Sequence, residues 1–280
     1  MKVLKTQKDL QNQVYLLKAQ NQSIGFVPTM GALHEGHLSL IRTARQQCDS
    51  TISSIFVNPT QFNDPKDLAN YPRNEALDLD KLREANCDFV FIPDITEVYS
   101  PNEYWHFDIG KLEQIFEGTS RPGHYQGVTQ IVKKFFDWIT PNIAFFGQKD
   151  YQQFLIIRQL VSHFGLPVQL FCHPTIRESN GLAMSSRNAR LNEHERQIAQ
   201  TLSRTLFDIK AHFADKSIKD LLSEARSKLT NTPELELSYL SICDAETLEE
   251  TNEKTPAKII ALVAARIGEI RLIDNIILKS

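Results

Sequence analysis

The sequence predicts an α/β fold with a doubly wound parallel sheet, followed by a second, smaller α+β domain. Three observations support this prediction. Apolar strands alternate with amphipathic helices over about the first 175 residues, polar residues follow those strands, and two helices then precede three apolar runs. Alternating strands and helices are typical of parallel sheets with right-handed crossovers, whereas closely spaced strands after helices favour an antiparallel sheet.

The elements of the first domain are predicted in chain order from apolar spacing and turn residues. Thr6 can cap a first helix, whose apolar residues Leu10, Val14 and Leu17 recur at helical spacing. An apolar strand begins at Ile24. The remaining elements are a helix that contains residues 38–44, a strand over 51–57, a helix over 76–85, a strand over 89–92, a helix over 127–139, a strand over 143–146, a helix over 151–164 and a strand over 168–172.

The second domain is predicted from the change of pattern beyond Arg187. Helices are expected over 193–214 and 218–229, and strands over the apolar runs 235–242, 258–267 and 271–278. We place the boundary near Thr175, which gives domains of residues 1–175 and 176–280.

Composition restricts the class of protein. A chain of 280 residues with 41% hydrophobic residues can bury a core, and 31 basic against 34 acidic residues give a net charge of −3 without long runs of one sign. General nucleic-acid binding is therefore not expected. The four cysteines are widely spaced, so we expect reduced thiols. The N-terminus lacks a signal-like apolar core, and no apolar run approaches the roughly 18 residues of a membrane span, so we expect a cytoplasmic protein without membrane association.

The most informative segment is residues 24–37, where an apolar strand runs into a Pro-Thr-Met-Gly turn and the start of a helix. Backbone N–H groups that lack partners and the positive end of the helix dipole favour phosphates at such a position. Because His34 and His37 are three residues apart, they share one helix face and can contact one ligand. A metal site is the alternative interpretation of this histidine pair.

Three further polar clusters also follow predicted strands or join the domains. Residues 56–62 (FVNPTQF) place the amides of Asn58 and Gln61 in a turn, where they can orient hydroxyls or a carboxylate. Residues 145–153 (FFGQKDYQQ) offer Lys149 to phosphates. Residues 177–188 (RESNGLAMSSRN) carry Arg187 and serine hydroxyls, which are good hydrogen-bond donors to phosphate. Ordinary turn chemistry, a solvent-facing lysine beside a capping aspartate and an interdomain linker are the alternatives for these clusters.

Taken together, these motifs resemble the pantoate–β-alanine ligase family, the pantothenate synthetases. The resemblance rests on residues 28–37 (PTMGALHEGH), residues 184–188 (MSSRN), the amide turn, Glu117-Gly118 with residues 121–124 (RPGH), the Lys149-Asp150 cluster and residues 271–275 (RLIDN). These segments extend over nearly the whole chain in the family's order. The family has a Rossmann-like domain and belongs to a nucleotidyltransferase superfamily with a His-x-Gly-His signature.

The resemblance implies an ATP-dependent ligase that joins pantoate and β-alanine through pantoyl adenylate, releasing AMP and pyrophosphate. It implies Mg²⁺, and a homodimer formed through the first domain. Gln61 and Gln153 are implied to bind pantoate, with Asn58 close by, and His37 is the family's proton donor. We assign catalytic roles to His34, His37, Lys149 and Arg187. The implied ATP site consists of Met30, Gly31, Ala32, Leu33, His34, Glu35, Gly36, His37, Gly147, Gln148, Lys149, Asp150, Ile176, Met184, Ser185, Ser186 and Arg187.

The chain departs from the family pattern at two positions. Gln148 stands where the family usually has Glu, and Asn180 where it usually has Asp. Each change removes one negative charge beside the phosphates, which puts nucleotide affinity or metal preference in doubt more than activity.

Other functions remain open at this point. A different nucleotidyltransferase would use the same histidine element, but Asn58, Gln61 and Gln153 suit a small hydroxy acid better than a phosphorylated acceptor. A non-catalytic nucleotide-binding protein would bind ATP without releasing pyrophosphate. A metal hydrolase lacks an obvious third ligand near His34 and His37, and an aminoacyl-tRNA synthetase is disfavoured by the near-neutral charge and the small C-terminal domain.

Overall fold

The computed structural model describes residues 1–280, and its chain contacts divide it into two compact units. The first unit comprises Met1–Gly147 and Gln152–Pro174, and the second comprises Gln148–Tyr151 and Thr175–Ser280. The short segment Gln148–Tyr151 therefore groups with the C-terminal residues although it precedes them by more than twenty positions. The boundaries predicted from the sequence stay a prediction.

The first unit is built on a six-stranded sheet in which all neighbouring strands are parallel, in the order β1-β4-β3-β2-β5-β6. Its strands are β1 (Lys2–Leu4), β2 (Ile24–Thr29), β3 (Ser50–Ile55), β4 (Phe89–Phe91), β5 (Ile143–Gly147) and β6 (Gln169–His173). Its helices are α1 (Gln7–Ala19), α2 (Glu35–Gln47), α3 (Pro65–Ala69), α4 (Glu75–Glu84), α5 (Ile95–Val98), α6 (Phe116–Ser120), α7 (His124–Ile139) and α8 (Tyr151–His163).

The central strand β2 is covered on both faces, because alternate side chains of a strand point to opposite sides. Phe26 packs edge-on against Phe135 and Phe136 of α7. Val27 is buried with Leu38 and Ile41 of α2. The chain order reverses between β2 and β5, and ligands of doubly wound sheets bind beyond the strand ends at such a point. A ligand-binding site is therefore expected at the end of β2.

The second unit is a three-stranded antiparallel sheet in the order β7-β8-β9, with two helices packed against it. Its elements are α9 (Glu193–His212), α10 (Ile218–Thr230), β7 (Leu235–Asp244), β8 (Ile259–Ile267) and β9 (Ile270–Lys279). A capping box between Asn192 and Glu195 starts α9. This unit has a hydrophobic core of its own, which extends from Leu182 to Ile276.

The predicted fold class is confirmed: a parallel sheet with helices is followed by a smaller α+β unit. The capping role of Thr6 is confirmed as well, since its side chain accepts a hydrogen bond from the Asp9 N–H. The cysteines are free thiols, of which Cys48, Cys87 and Cys243 are buried. No helix is both long and apolar enough to cross a membrane.

Candidate active site

The turn after β2 is held by side chains of the first unit. Thr29, the last residue of the strand, donates its hydroxyl to the Ser54 carbonyl at 2.6 Å and accepts the Gly31 N–H at 3.2 Å. Asp78 of α4 accepts the N–H groups of Ala32 at 2.9 Å and Leu33 at 2.7 Å. The three N–H groups of this turn therefore already have protein partners.

The sequence-based expectation concerns the first N–H groups of the helix, and it stays a prediction. The N–H groups of the preceding turn residues Gly31, Ala32 and Leu33 are used by Thr29 and Asp78. The local pattern could not reveal this, because Asp78 is 45 residues from Leu33. Contact of these turn residues with ATP through their other atoms stays a prediction.

The two histidines meet at the start of α2, as their spacing predicts. His34 is the N-cap residue, His37 is the third residue of the helix, and their rings stack with centroids 4.0 Å apart. The Nδ1 atom of His37 accepts the His34 N–H at 3.4 Å. A neutral His37 ring that accepts a hydrogen bond at Nδ1 carries its proton on Nε2, so Nε2 is a hydrogen-bond donor.

The other predicted residues of this turn have distinct surroundings. The Met30 sulfur accepts the Gln61 amide at 3.0 Å, which joins the histidine turn to the amide turn. The Glu35 carboxylate is paired with Arg42 further along α2 and is half-exposed. Gly36 uses its carbonyl to accept the Ser39 hydroxyl at 2.8 Å.

The amide turn is buried and tightly hydrogen-bonded. Asn58 is 1% exposed, and its Nδ2 donates to the Gln61 Oε1 at 3.2 Å and to the Gly127 carbonyl at 3.0 Å. Tyr99 donates its hydroxyl to the Asn58 Oδ1 at 2.6 Å. The two predicted substrate amides are thus in direct contact, and Gln61 also bonds Met30.

His124 supports the same turn from α7. Its Nδ1 lies 2.8 Å from the Gln61 carbonyl and its Nε2 lies 3.0 Å from the Arg121 guanidinium. Because a carbonyl only accepts and a guanidinium only donates, the neutral ring carries its proton on Nδ1. The sequence analysis missed the roles of Tyr99 and His124, although residues 121–124 contributed to the resemblance. The spacing of Arg121 and His124 in that motif was the sequence feature that could have indicated the role of His124.

Gly147 and Gln153 both belong to the first unit, and in the chain they flank the segment Gln148–Tyr151 of the second unit. Gly147 is the last residue of β5, and the Gln153 side chain in α8 is half-buried. The neighbouring Gln152 is buried and donates to the carbonyls of Leu112 at 2.7 Å and Ile115 at 2.9 Å. Gln152 therefore has a structural role, and the substrate-binding role of Gln153 stays a prediction.

Within the second unit, Asn275 of β9 fixes the segment that carries Lys149. The Asn275 amide donates to the carbonyls of Gln148 and Lys149, both at 2.9 Å. In return, the Gln148 amide donates to the Asn275 Oδ1 at 3.0 Å. The Lys149 ammonium lies 3.9 Å from the Asp150 carboxylate. Lys149 is therefore held by its backbone, while its side chain keeps only a long ion pair with its neighbour among these contacts.

The residue before Asn275 anchors the start of the polar segment. Asp274 is buried and accepts two hydrogen bonds from Arg177, at 2.6 Å and 3.0 Å. Burial raises the pKa of Asp274, and the Arg177 guanidinium opposes that effect. Arg177 and Ala183 form an antiparallel bridge, so residues 177–183 fold as a tight hairpin instead of an open loop. The Ile176 carbonyl extends this pairing, because it accepts the Met184 N–H at 3.0 Å.

The serine-arginine turn follows this hairpin. Ser185 caps a short 3₁₀ helix, Ser186–Arg190, and its hydroxyl accepts the Arg187 N–H at 3.3 Å. Asn188 is buried and donates to Glu178 at 2.8 Å and to the Ala183 carbonyl at 3.0 Å. The second unit thus brings Met184, Ser185, Ser186 and Arg187 together in one rigidly supported turn.

The two departures from the family pattern have different structural consequences. Asn180 accepts the Leu182 N–H through its side-chain oxygen at 3.0 Å. A carboxylate can accept the same bond, so the change to Asn keeps the hairpin turn. Gln148, in contrast, donates to Asn275, which a glutamate cannot do at neutral pH.

Comparisons with known proteins identify the family of this chain. A family model described as pantoate-beta-alanine ligase matches residues 2–277. A pantothenate synthetase from Azobacteroides pseudotrichonymphae is 43% identical over 278 residues, covering 99% of this chain and 99% of the relative. The solved structure of pantothenate synthetase from Thermus thermophilus matches with a TM-score of 0.95 and 37% identity, covering 100% of both chains.

A second solved structure carries ligands. The pantoate-beta-alanine ligase from Francisella tularensis, complexed with beta-gamma ATP and β-alanine, matches with a TM-score of 0.81 and 33% identity, covering 100% of this chain and 98% of that chain. The match of the family model and the identity to the relatives both extend over almost the whole length of the chain. The chain therefore belongs to the pantoate–β-alanine ligase family, whose members are pantothenate synthetases.

Proposed function

We propose that this protein joins pantoate and β-alanine to form pantothenate, using ATP and releasing AMP and pyrophosphate. The observation that carries the proposal is that the segment with the stacked His34 and His37 rings also contains Met30, whose sulfur accepts a hydrogen bond from Gln61. The buried Gln61 amide in turn contacts Asn58. Histidine donors suit phosphoryl oxygens, and uncharged amides suit a small hydroxy acid. Both kinds of group are present in the first unit.

The reaction needs two steps because a carboxylate is a poor acyl electrophile. A pantoate carboxylate oxygen bonds to the α-phosphorus of ATP, the bond from that phosphorus to the pyrophosphate oxygen breaks, and pantoyl adenylate forms. The amine of β-alanine then bonds to the acyl carbon. The bond between the acyl carbon and the phosphate oxygen breaks, AMP leaves with the bonding electrons, and the nitrogen of the neutral amine releases one proton to solvent to give the amide.

His37 is assigned to the first step. Negative charge increases on the α-phosphoryl oxygens and the departing pyrophosphate, so a fixed donor there lowers the barrier. The His37 Nε2 proton supplies such a donor, because the Nδ1 atom already accepts the His34 N–H. The attacking carboxylate is ionised and needs no base, which favours a donor role over a general-base role.

Residues of the second unit are assigned to the phosphates. Lys149 offers a cation on a backbone that Asn275 holds, and Arg187 offers a planar guanidinium from the same turn as Ser185 and Ser186. Their support by partly buried hydrogen bonds favours binding over an ordinary linker. The assignment of individual phosphates to these side chains stays a proposal.

The polar side chains also allow a test of whether Mg²⁺ fits. No cluster of three His, Cys, Asp or Glu side chains suits a metal ion in the described chain. Mg²⁺ commonly binds through substrate phosphates with one or two carboxylates, so we propose that it binds with ATP and that Asp150 is the candidate protein ligand. When bound, it would neutralise charge on the leaving pyrophosphate. A homodimer and a cytoplasmic location stay predictions from the resemblance and the sequence.

Release of AMP tests the proposed function most directly. The purified protein is given ATP, Mg²⁺, pantoate and β-alanine, and each component is then omitted in turn. We expect AMP release that requires all three substrates, and ATP–pyrophosphate exchange that requires pantoate but not β-alanine. AMP release that continues without pantoate would contradict the proposal, as would its absence in the complete mixture.

A further inference from the structure

We propose that Asp78 is a positioning residue for the histidine pair, an inference that rests on the proposed function. Asp78 lies in α4 and is only 2% exposed. One carboxylate oxygen accepts the Ala32 N–H at 2.9 Å and the other accepts the Leu33 N–H at 2.7 Å. The two oxygens of this buried carboxylate thus accept hydrogen bonds from two consecutive backbone N–H groups, directly before His34.

These hydrogen bonds hold a backbone that is unfavourable without support. Gly31 and Ala32 both have positive φ, +79° and +50°. For alanine, this left-handed conformation is unfavourable because Cβ approaches the following carbonyl oxygen. A Cβ on Gly31 would also lie 2.9 Å from the Asp78 Oδ2, so the close approach of the carboxylate requires glycine there.

The same helix holds the carbonyl side of the turn. Lys81, one turn after Asp78 in α4, donates its ammonium to the Leu33 carbonyl at 2.5 Å. Helix α4 therefore binds the N–H and the carbonyl of Leu33 with two side chains of opposite charge. Because Leu33 directly precedes the N-cap residue His34, the position of α4 sets where α2 begins and where the stacked rings lie.

The carboxylate also affects where an anion can bind. It occupies the N–H groups of Ala32 and Leu33, which a phosphate would otherwise use. Phosphates are therefore directed to the histidine side chains and the first N–H groups of α2. Asp78 acts through the turn and does not itself contact the substrate in this proposal.

The test is the Asp78→Asn substitution, which keeps the volume but presents an NH₂ group to one of the two N–H groups. Small displacements of catalytic groups can cost about 100-fold in rate. We expect ATP–pyrophosphate exchange to slow by about 10- to 100-fold at saturating ATP, with the KM for ATP changed by less than about 3-fold. Asp80→Asn is the matched control, because Asp80 lies on the same helix with a 67% exposed side chain paired to Arg83.

A double-mutant cycle with His37→Ala separates positioning from a general structural role. If Asp78 acts through His37, Asp78→Asn will slow a His37→Ala protein by less than about 3-fold. An equal loss in both backgrounds would overturn the proposal, as would a wild-type exchange rate in Asp78→Asn. If Asp78→Asn fails to fold, Lys81→Met carries the test with the same two criteria. Wild-type protein without pantoate-dependent exchange would instead overturn the proposed function, and this inference with it.

Discussion

At the scale of single residues, Tyr99 shows how burial changes the chemistry of a group that supports the amide turn. Its hydroxyl donates to the Asn58 Oδ1 at 2.6 Å, and burial is the main cause that raises its pKa to about 12 from the ordinary value of 10.0. The unfolded chain therefore ionises Tyr99 near pH 10, whereas the folded protein keeps the proton until about pH 12. The stability that this group contributes is complete below pH 10 and is lost as the pH rises to about 12.

The raised pKa of Tyr99 predicts that the protein loses stability at alkaline pH. Between pH 9 and pH 11 we expect the wild-type free energy of unfolding to fall by about 1 kcal/mol more than that of Tyr99→Phe, measured by urea denaturation. Tyr104→Phe is the control, because Tyr104 is 86% exposed and should retain the wild-type pH dependence. If all three proteins lose stability equally over this range, the high pKa of Tyr99 is wrong.

At the scale of elements, Gly127 brings α7 against the amide turn. A Cβ at this position would lie 2.4 Å from the Thr60 carbonyl, which is backbone and cannot move aside cheaply. Helix propensity alone predicts that Gly→Ala stabilises a helix interior by about 1 kcal/mol. The close approach predicts the opposite sign, so the substitution distinguishes the two effects.

We expect Gly127→Ala to lower the thermal midpoint and to raise the KM for pantoate by at least about 10-fold, because Thr60 lies between Asn58 and Gln61. The measurements are thermal denaturation and initial rates at varied pantoate. Asp137→Ala is the control, since removing this half-exposed carboxylate and its ion pair with Lys133 should change stability by less than about 1 kcal/mol. An unchanged KM for pantoate in Gly127→Ala would exclude a link between this packing and the substrate.

The elements also show how far the sequence can be interpreted. Alternating and helical apolar spacing predicted every long helix and strand to within a few residues, but β1 was missed because three residues at a sheet edge have no periodicity. The helix α7 begins at His124, before the predicted Gly127, because Gly123 adopts a left-handed conformation as its N-cap. The i, i+3 spacing of the two histidines predicts that their rings meet. The roles of Asp78, Tyr99 and Asn275 could not be predicted from the sequence, because each of these residues joins segments that are far apart in the chain.

At the scale of the whole molecule, the two units have separate hydrophobic cores. The buried ion pair between Asp274 and Arg177, with contacts of 2.6 Å and 3.0 Å, lies entirely within the second unit. Breaking a buried pair by removing one partner costs roughly 3–5 kcal/mol, because the other charge stays desolvated. Asp274→Ala should therefore destabilise the second unit far more than the first.

The chain provides a reporter for this difference, since its two tryptophans, Trp105 and Trp138, both lie in the first unit. We expect urea denaturation of Asp274→Ala to give an early circular-dichroism transition without a matching change in tryptophan fluorescence, which should keep its wild-type midpoint. Glu269→Ala, at the exposed turn between β8 and β9, should leave both transitions unchanged. If the fluorescence midpoint of Asp274→Ala falls together with the circular-dichroism midpoint, the two units unfold as one cooperative structure, because loss of a contact confined to one core has then destabilised the other.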